Sequence, residues 1–303
     1  MAAIRDEDMT EFKERIKGKT VIITGGFKFE AKVVVADKNL PSAERTALEI
    51  RNAAQQAIEC KCDVTVWDDL VAMYDLAIEK FGSVDIVVAN AGVGEIRADV
   101  KNYSEHSVIK PPTTTIDVNL IGVLYTVHLA QHYLQVNRSE DKSSLKSVIL
   151  LGSIASWYAL SMAPMYTATK HAVLAKGIRI NTIHPFFAAT SIVPIHIRVQ
   201  LAGLPLTPVP RIAGTIFYAA SNPDPASSGA SFWVPDGGAS TFMIPREEFK
   251  PGVYDLIDRK SNATSVQRDD TSALETIGGY VRFGNVFGGV YIFVWVSVAV
   301  VVN

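Results

Sequence analysis

Residues 147–170 read SVILLGSIASWYALSMAPMYTATK, and this stretch decides the fold predicted for the chain. Its beginning, Ser147 to Gly152, is a short apolar run that ends in glycine, which is typical of a buried strand. Ser153 follows at the carboxyl end of that strand, where open parallel sheets bind their ligands. Tyr166 and Lys170 are four residues apart, so on a helix their side chains share one face.

This pattern predicts a specific chemistry for the three side chains. An ammonium group beside a phenol favours the phenolate, so we expect Lys170 to lower the pKa of Tyr166. A phenol tuned in this way exchanges a proton with an alcohol or a carbonyl near neutral pH. Together with Ser153, the pattern indicates a tyrosine-based alcohol–ketone oxidoreductase. The alternative is a surface tyrosine and lysine on an ordinary helix.

Composition and charge narrow the class of protein. The chain has 303 residues, of which 48% are hydrophobic, so it can bury a large core in one large domain or two small ones. Its 29 basic and 31 acidic residues form no basic stripe, and we expect no nucleic acid partner. Cys60 and Cys62 suit neither a structural disulfide nor a zinc knuckle, so we predict a reducing compartment and no metal site. The polar beginning of the chain lacks the apolar core of a secretory signal, which favours a cytoplasmic protein.

Strands and helices alternate along the sequence. We predict strands at 19–24, 32–37, 60–66, 84–89, 147–152, 176–185 and 230–234, and helices at 41–58, 68–81, 115–134 and 212–220. This alternation predicts an α/β fold, a Rossmann-like doubly wound parallel sheet with helices on both faces. The predicted organisation is a polar lead-in (1–16), a single domain (17–244), a polar linker (245–277) and a hydrophobic tail (278–303).

Two polar residues at predicted element ends bear on ligand binding. Asp37 ends the second strand, and an acid there accepts hydrogen bonds from an adenosine ribose and repels a 2′-phosphate, which favours NAD over NADP. The alternative is an aspartate that merely ends a strand in a turn. Asn119 lies in the apolar sequence VNLIGVLYTVHLA, where a buried amide needs hydrogen-bond partners.

Taken in order, these features resemble the short-chain dehydrogenase/reductase family, in particular fungal enzymes of the 15-hydroxyprostaglandin-dehydrogenase-like or secondary-metabolite type. The matching features, across roughly residues 17–240, are Thr24-Gly25-Gly26, Asp37, Asp63-Val64, Asn90-Ala91-Gly92, Asn119, Ser153, Tyr166-Thr167-Ala168-Thr169-Lys170 and Asn181-Thr182-Ile183-His184-Pro185. The resemblance implies an NAD(P)-dependent oxidoreductase that interconverts a secondary alcohol and a ketone on a small hydrophobic metabolite. It also implies a homo-oligomer.

The resemblance further implies a role for each matching residue. Tyr166 would be the general acid/base, and Lys170 would bind the nicotinamide ribose and lower the pKa of Tyr166. Ser153 would hydrogen-bond the substrate oxygen, and Asn119 would bend its helix and hold a water in a proton relay. The implied cofactor-binding residues are Thr24, Gly25, Gly26, Asp37, Asp63, Val64, Asn90, Ala91, Gly92, Tyr166, Lys170, Pro185 and Thr190.

The chain departs from the family at two places that resemble internal deletions. Only seven residues separate Thr24 from Lys32. A parallel crossover needs about a dozen or more, so we expect that no such crossover joins them and that the first crossover helix is truncated. The helix N-terminus that would bind the cofactor diphosphate is then missing, which predicts weakened cofactor binding. After Lys170, only residues 171–175 precede the next predicted strand, so the catalytic helix is predicted to be truncated as well.

Several alternatives follow from these departures. Either coding segments are missing from this sequence, or the chain is a non-catalytic remnant of the family with impaired cofactor binding. Residues 286–302, VFGGVYIFVWVSVAVVV, carry no charge and reach the lower limit of a transmembrane helix, about 17 residues. The tail is therefore a membrane anchor, translated non-coding sequence or an aggregation-prone segment. Four aromatic residues either line an apolar substrate pocket or pack ordinarily: Trp157, Tyr158, Phe186 and Phe187, of which Phe186 stands where the family has glycine.

Overall fold

The computed structural model of the protein describes residues 2–24, 31–53, 55–95, 110–137, 145–156, 163–171, 179–188, 190, 192–193, 205–224, 227–235, 240–245 and 248. Gly25 and Gly26 lie outside these residues, as do Trp157 and Tyr158. So do the predicted tail and, except for Pro245 and Glu248, the predicted linker. Within the described part of the chain, no helix is both long enough and apolar enough to cross a bilayer.

The strands of the described residues form one sheet. They are β1 (Ala2–Arg5), β2 (Thr20–Thr24), β3 (Lys32–Asp37), β4 (Gln56–Lys61), β5 (Ile86–Ala89), β6 (Ser147–Leu151), β7 (Arg179–Pro185), β8 (Ser231–Val234) and β9 (Ser240–Ile244). Their order in the sheet is β1-β9-β8-β7-β6-β5-β2-β3-β4. All neighbours from β4 to β8 run parallel, whereas β9 is antiparallel to both β8 and β1.

The helices lie between the strands, as the alternating sequence predicts. They are α1 (Leu40–Asn52), α2 (Trp67–Phe81), α3 (Thr114–Ile116), α4 (Val123–Tyr133), α5 (Pro164–His171) and α6 (Val209–Ser221). A π-helical turn, Asp117–Gly122, joins α3 to α4. Short 3-10 helices cover Asp6–Thr10, Lys13–Arg15 and Ile154–Ser156.

The sheet is covered on both faces, which confirms the predicted doubly wound architecture. Val21 and Ile23 of β2 belong to one apolar cluster, which also contains residues of α1 and α6. Ile22 lies between them in the sequence and belongs to a second cluster, with residues of α2 and α4. Successive side chains of a strand point to opposite faces, so one continuous apolar strand supplies both cores.

Some predicted boundaries are wrong. Helix α1 ends at Asn52 rather than at residue 58, and β4 begins at Gln56 rather than at residue 60. The strand β4 gains a complete parallel ladder with β3, from Lys32↔Gln56 to Asp37↔Lys61, and this pairing outweighs the helix propensity of the preceding sequence. The predicted lead-in contains the edge strand β1, which the sequence did not reveal.

The expectation that no crossover joins Thr24 to Lys32 is also wrong. Strands β2 and β3 are parallel neighbours, with Thr20 opposite Lys32 and Thr24 opposite Ala36. The end of β2 and the beginning of β3 are therefore separated by about the length of β2, which is about 13 Å for five residues. Eight residue steps span up to about 26 Å, so this separation does not require a helix.

Candidate active site

The carboxyl ends of β2 and β5 are joined by a threonine. The hydroxyl oxygen of Thr24 accepts hydrogen bonds from the backbone N–H groups of Asn90 (3.1 Å) and Ala91 (3.0 Å). The side-chain amide of Asn90 in turn donates to the Thr24 carbonyl (3.0 Å). These bonds bring together two of the predicted cofactor-binding motifs at the sheet edge where open parallel sheets bind ligands.

Asn119 is buried and holds the loop that follows β5. Its Oδ1 accepts from the Val93 backbone N–H (2.8 Å), and its Nδ2 donates to the Val93 carbonyl (2.8 Å). Both partners that a buried amide requires are thus supplied by backbone. The residue lies in the π-helical turn between α3 and α4, where the long helix departs from regular α geometry. Its action in a proton relay stays a prediction.

Ser153, Tyr166 and Lys170 come together as the sequence predicts. The Ser153 side chain is near enough to the Tyr166 hydroxyl to act on its pKa, and its oxygen accepts from the Ala155 backbone N–H (3.1 Å). The Lys170 ammonium lies 5.6 Å from the centre of the Tyr166 ring and donates to the Leu151 carbonyl at 2.6 Å. Lys170 is only 8% exposed, so its charge is held in a site of low water content. The alternative of a surface tyrosine and lysine does not fit this burial.

Burial decides the proton affinities of this cluster. It raises the pKa of Tyr166, and the Ser153 side chain acts in the opposite direction. It lowers the pKa of Lys170 to about 8. The expectation that Lys170 lowers the pKa of Tyr166 is therefore not met. The ammonium lies over the ring and bonds the Leu151 carbonyl, and desolvation of the phenolate dominates.

The predicted adenosine-binding residues lie after β3 and β4. Asp37 ends β3, and one of its carboxylate oxygens accepts from the Asn39 N–H (2.8 Å). Asp63 pairs with the Lys38 ammonium at 2.6 Å, and this contact contributes most to holding its pKa at about 2. Val64 is buried against the long helix, where a Cβ added to Gly122 would lie 2.7 Å from it.

His184 was missed by the sequence as a neighbour of the site. Its Nδ1 lies 3.3 Å from the Ser153 carbonyl, and its Nε2 lies 2.9 Å from the Thr182 hydroxyl. Burial lowers its pKa to about 4, so the ring is neutral. A carbonyl only accepts, so Nδ1 carries the hydrogen and Nε2 accepts. The sequence did contain a signal for His184, because the residue lies near the end of a predicted strand, 176–185. In the sheet this strand, β7, is adjacent to β6, which Ser153 follows.

A second residue missed by the sequence contacts the catalytic helix. The Glu95 carboxylate accepts from the backbone N–H groups of Tyr166 (2.7 Å) and Met165 (3.4 Å). Glu95 follows the motif Asn90-Ala91-Gly92 by three residues, so its loop begins at the site edge of β5. An acid in that loop, together with a helix that starts without a polar cap, is the signal that could have identified it.

The segment after β7 is described only in part. Pro185 ends β7, and the Phe186 N–H donates to the Val234 carbonyl (3.0 Å). The rings of Phe186 and Phe187 meet edge to face, with their centres 5.2 Å apart. The Thr190 N–H donates to the Ala188 carbonyl (2.8 Å), so it forms a turn after β7. The predicted contact of Thr190 with the nicotinamide amide stays a prediction.

The described residues fit a dinucleotide at both of its ends. The Asp37 carboxylate has a second oxygen without a hydrogen-bond partner among the described residues, which suits a ribose hydroxyl donor. The Lys170 ammonium is buried and has three donors, of which one is directed at Leu151, which suits a second ribose. The turn that would bind the diphosphate follows Thr24 and lies outside the described residues.

The fold and this cluster define an oxidoreductase with a dinucleotide site, and comparison with known proteins identifies its family. The family described as short chain dehydrogenase matches residues 19–194, more than half of the chain, so the protein belongs to the short-chain dehydrogenases. It is an oxidoreductase of the class that acts on CH–OH groups with NAD(P).

Named dehydrogenases of plants and fungi are similar to this chain over most of their length. The chain is 27% identical to (+)-borneol dehydrogenase 2 of Salvia officinalis, over 78% of this chain and 94% of that protein. It is also 27% identical to short-chain dehydrogenase/reductase ascJ of Acremonium egyptiacum, over 91% and 96% of the two chains. Xanthoxin dehydrogenase of Arabidopsis thaliana is likewise 27% identical, over 78% and 94%.

Solved structures share the fold. A 3-ketoacyl-(acyl-carrier-protein) reductase from Brucella melitensis, complexed with NADH, superposes with a TM-score of 0.57 at 24% identity. The match covers 73% of this chain and 98% of that one. A D-mannonate oxidoreductase from Haemophilus influenza with bound NAD gives a TM-score of 0.58 at 17% identity, over 74% and 95%. At these identities the likeness concerns the fold alone.

Proposed function

We propose that this protein uses NAD in preference to NADP to interconvert a secondary alcohol and a ketone on a small hydrophobic metabolite. The observation that carries this proposal is the buried contact of Ser153 and Lys170 with Tyr166 at the carboxyl edge of the sheet. The proposal is supported by the position of this phenol, hydroxyl and ammonium at the edge where open parallel sheets bind their ligands.

The proposed roles follow from the donors and acceptors of each group. NAD supplies the acceptor or donor of hydride when it is bound. Tyr166 gives its hydroxyl proton to the ketone oxygen in reduction and takes the alcohol proton in oxidation. Ser153 hydrogen-bonds the same substrate oxygen and keeps it within reach of the Tyr166 hydroxyl. Lys170 has donors beyond the one that bonds Leu151, and these bind the nicotinamide ribose.

The protonation state of Tyr166 bears on the direction of the reaction. Because burial raises its pKa, the phenol keeps its proton at neutral pH. A protonated phenol donates to a ketone but cannot accept from an alcohol, so reduction is favoured at neutral pH. A rising pH removes this proton and increases the rate of oxidation. A positive charge brought by bound nicotinamide would lower the pKa of Tyr166, so the increase in the rate of oxidation would occur at lower pH.

The hydrophobic substrate is inferred from aromatic residues near the site and from relatives. Phe186 and Phe187 pack together directly after β7. His184, near the end of the same strand, contacts the Ser153 carbonyl. Borneol, the substrate in the name of one relative, is a small apolar alcohol. The preference for NAD is inferred from Asp37, whose carboxylate would repel a 2′-phosphate. Other relatives are named NADP-dependent, so this preference needs its own test.

We also propose that the protein forms a homo-oligomer. Trp67 at the start of α2 meets Tyr125 of α4 edge to face at 5.4 Å, and both side chains are exposed. Leu124 and Val66, which precede Tyr125 and Trp67 in the sequence, are exposed as well. A second copy of the chain would cover it, and analytical ultracentrifugation of wild type and Tyr125→Glu tests the proposal. A monomeric wild type would contradict it.

Turnover tests the proposed function directly. Purified protein is mixed with NAD or NADP and a panel of acyclic, alicyclic and aromatic secondary alcohols, and with NADH and the matching ketones. NADH absorbance follows each reaction. We expect saturable turnover on apolar members of the panel and slower or no turnover on polyols. A folded protein that turns over no member in either direction, with either cofactor, would contradict the proposal.

A further inference from the structure

We propose that Glu95 is a positioning residue of the active site, which caps the catalytic helix α5 from a distant loop and thereby sets the place of Tyr166. This inference rests on the proposed function, because it concerns the acid/base residue of that reaction. The contact itself exists independently of turnover, so it has a readout of its own.

Helix α5 has no cap in its own sequence. The helix begins at Pro164, and the residue before it is Ala163, whose carbonyl accepts the first intrahelical bond, from the Thr167 N–H (2.9 Å). The first N–H groups of a helix have no partner within the helix, and serine, threonine, aspartate or asparagine usually supplies one from the position before it. The methyl group of Ala163 cannot accept a hydrogen bond.

Glu95 supplies the missing acceptors. Its two carboxylate oxygens bond the N–H groups of Met165 and Tyr166, the second and third residues of α5. A local cap would bond the same two positions. The carboxylate is also favourable at this end because a helix N-terminus carries a partial positive charge. Glu95 is 71 residues away from Tyr166 in the sequence, so the cap forms only in the folded protein.

The loop that carries Glu95 is itself held in place. Asn119 binds both backbone groups of Val93, and the Thr115 hydroxyl donates to the Gly94 carbonyl (3.2 Å). A continuous set of contacts therefore runs from the π-helical turn through residues 93–95 to the backbone of Tyr166. Asn119 would therefore contribute to the reaction in part by fixing the loop that holds Glu95 against the backbone of Tyr166.

Two anchors then fix the short helix α5. Glu95 binds its first turn, and the Lys170 ammonium bonds the Leu151 carbonyl near its end. Tyr166 lies between these anchors, and its hydroxyl is in contact with Ser153. Loss of the first anchor would let the first turn fray while the sheet and both apolar cores stay intact. Tyr166 would keep its identity and lose its fixed position.

The experiment compares Glu95→Ala, Glu95→Gln and the double variant Glu95→Ala/Ala163→Asp with wild type. Glu44→Ala, which removes an exposed acid on α1, is the matched control. Amide hydrogen exchange of the peptide that covers residues 163–171 reports on the cap. Turnover with the best alcohol or ketone of the panel gives kcat and KM separately.

We expect Glu95→Ala to speed exchange in this peptide and to lower kcat about tenfold with little change in KM, because loss of a cap has about this effect on an equilibrium. Glu95→Gln keeps an oxygen for the Tyr166 N–H and should fall between Glu95→Ala and wild type. Ala163→Asp offers the same N–H groups a local acceptor. It should restore slow exchange and most of kcat, whereas Glu44→Ala should behave as wild type.

The outcomes separate this proposal from the proposed function. If exchange in residues 163–171 is unchanged by Glu95→Ala, Glu95 is not the cap and the inference is wrong, whatever the turnover. If exchange speeds up and Ala163→Asp reverses it but kcat is constant throughout, Glu95 caps the helix without positioning Tyr166, which also overturns the inference. If wild type has no turnover while the exchange results follow expectation, the proposed function fails and the cap stands.

Discussion

Each end of the sheet holds a lysine whose side chain is largely shielded from water, and the two lysines have different partners. At the amino end, the Lys146 ammonium bonds the Asp85 carboxylate (3.0 Å) and the Val84 carbonyl (2.7 Å). The other oxygen of Asp85 accepts from the Thr20 N–H (2.9 Å) and the Ser83 hydroxyl (3.2 Å). At the carboxyl end, Lys170 is similarly shielded but bonds the Leu151 carbonyl, and burial lowers its pKa to about 8.

The difference in partners distinguishes Lys146, which stabilises the fold, from Lys170, which we propose takes part in the reaction. A buried charge is tolerated when a counter-ion and further hydrogen bonds satisfy it, as at the amino end. Lys170 has no carboxylate among its described partners, so its charge costs stability until a ligand supplies acceptors. Tyr166 lies in the same environment, and its pKa is raised. Perturbed groups of this kind concentrate at functional sites.

The largest expected effect is that of Tyr166→Phe. The substitution removes the hydroxyl that donates the proton and keeps the ring that packs under Lys170. We expect kcat/KM to fall by at least about a thousandfold, since a positioned acid/base contributes on the order of 10²–10⁴-fold. The midpoint of thermal unfolding should change little. Residual turnover within tenfold of wild type would assign the proton transfer to another group.

The complementary change at the amino end is Asp85→Ala. It leaves the Lys146 ammonium buried and unpaired, so we expect the free energy of unfolding to fall by about 3–5 kcal/mol. Urea unfolding measures it, with Glu44→Gln as the exposed control. The kcat of the protein that remains folded should match wild type. A stable variant, or one with a changed kcat at full folding, would contradict the separation of the two ends.

Lys170→Met should increase the free energy of unfolding, whereas Asp85→Ala should decrease it. The folded-state pKa of about 8 lies below the ordinary value of 10.5, so near neutral pH the fold holds a charge that it disfavours. Removal of this charge should stabilise the protein by about 1–3 kcal/mol at pH 7 and abolish turnover.

The pH dependence gives this prediction its check. Between pH 8 and 10.5 the unfolded chain binds more protons at Lys170 than the native protein does, so wild-type stability rises with pH relative to the variant. The difference between the two proteins should therefore shrink across this window. A variant that is less stable than wild type at pH 7 would mean that Lys170 is a structural anchor like Lys146.

The smallest effect is expected for Asp37→Ser. Loss of the carboxylate removes an acceptor for the ribose and the repulsion of a 2′-phosphate. We expect the ratio of kcat/KM for NAD to that for NADP to fall about tenfold, the equivalent of one charged hydrogen bond. Glu44→Ala, which removes an exposed acid of α1, is the matched control and should leave NAD kinetics unchanged. An unchanged ratio in Asp37→Ser would remove the argument for NAD.

The sequence predicts those parts of the fold in which local pattern and final environment agree. The apolar runs that became β2, β5 and β6 are buried on both faces, and their composition alone predicts this. The spacing of Tyr166 and Lys170 likewise predicts their contact on one helix. Asn119 was predicted to need partners, and the backbone of Val93 supplies them.

Other features depend on residues that are distant in the sequence. Strand β1 exists because it pairs with β9, from Ala2↔Met243 to Arg5↔Ser240, and nothing in its four residues alone predicts it. The cap that Glu95 gives to α5 arises in the same way. The direction of the pKa shift of Tyr166 follows from the extent of burial, which spacing along a helix does not determine. The pairing of β2 with β3 also could not be predicted, because the minimum length of about a dozen residues applies to crossovers that contain a helix.

The account depends on nicotinamide binding beside Tyr166 and Lys170, and titration of purified protein with NADH tests this most directly. We predict a saturable change in NADH fluorescence, preserved in Tyr166→Phe and weakened in Lys170→Met. Addition of a ketone substrate should then discharge the bound NADH in wild type and leave it unchanged in Tyr166→Phe. A folded protein whose NADH signal does not saturate up to millimolar cofactor would contradict the account.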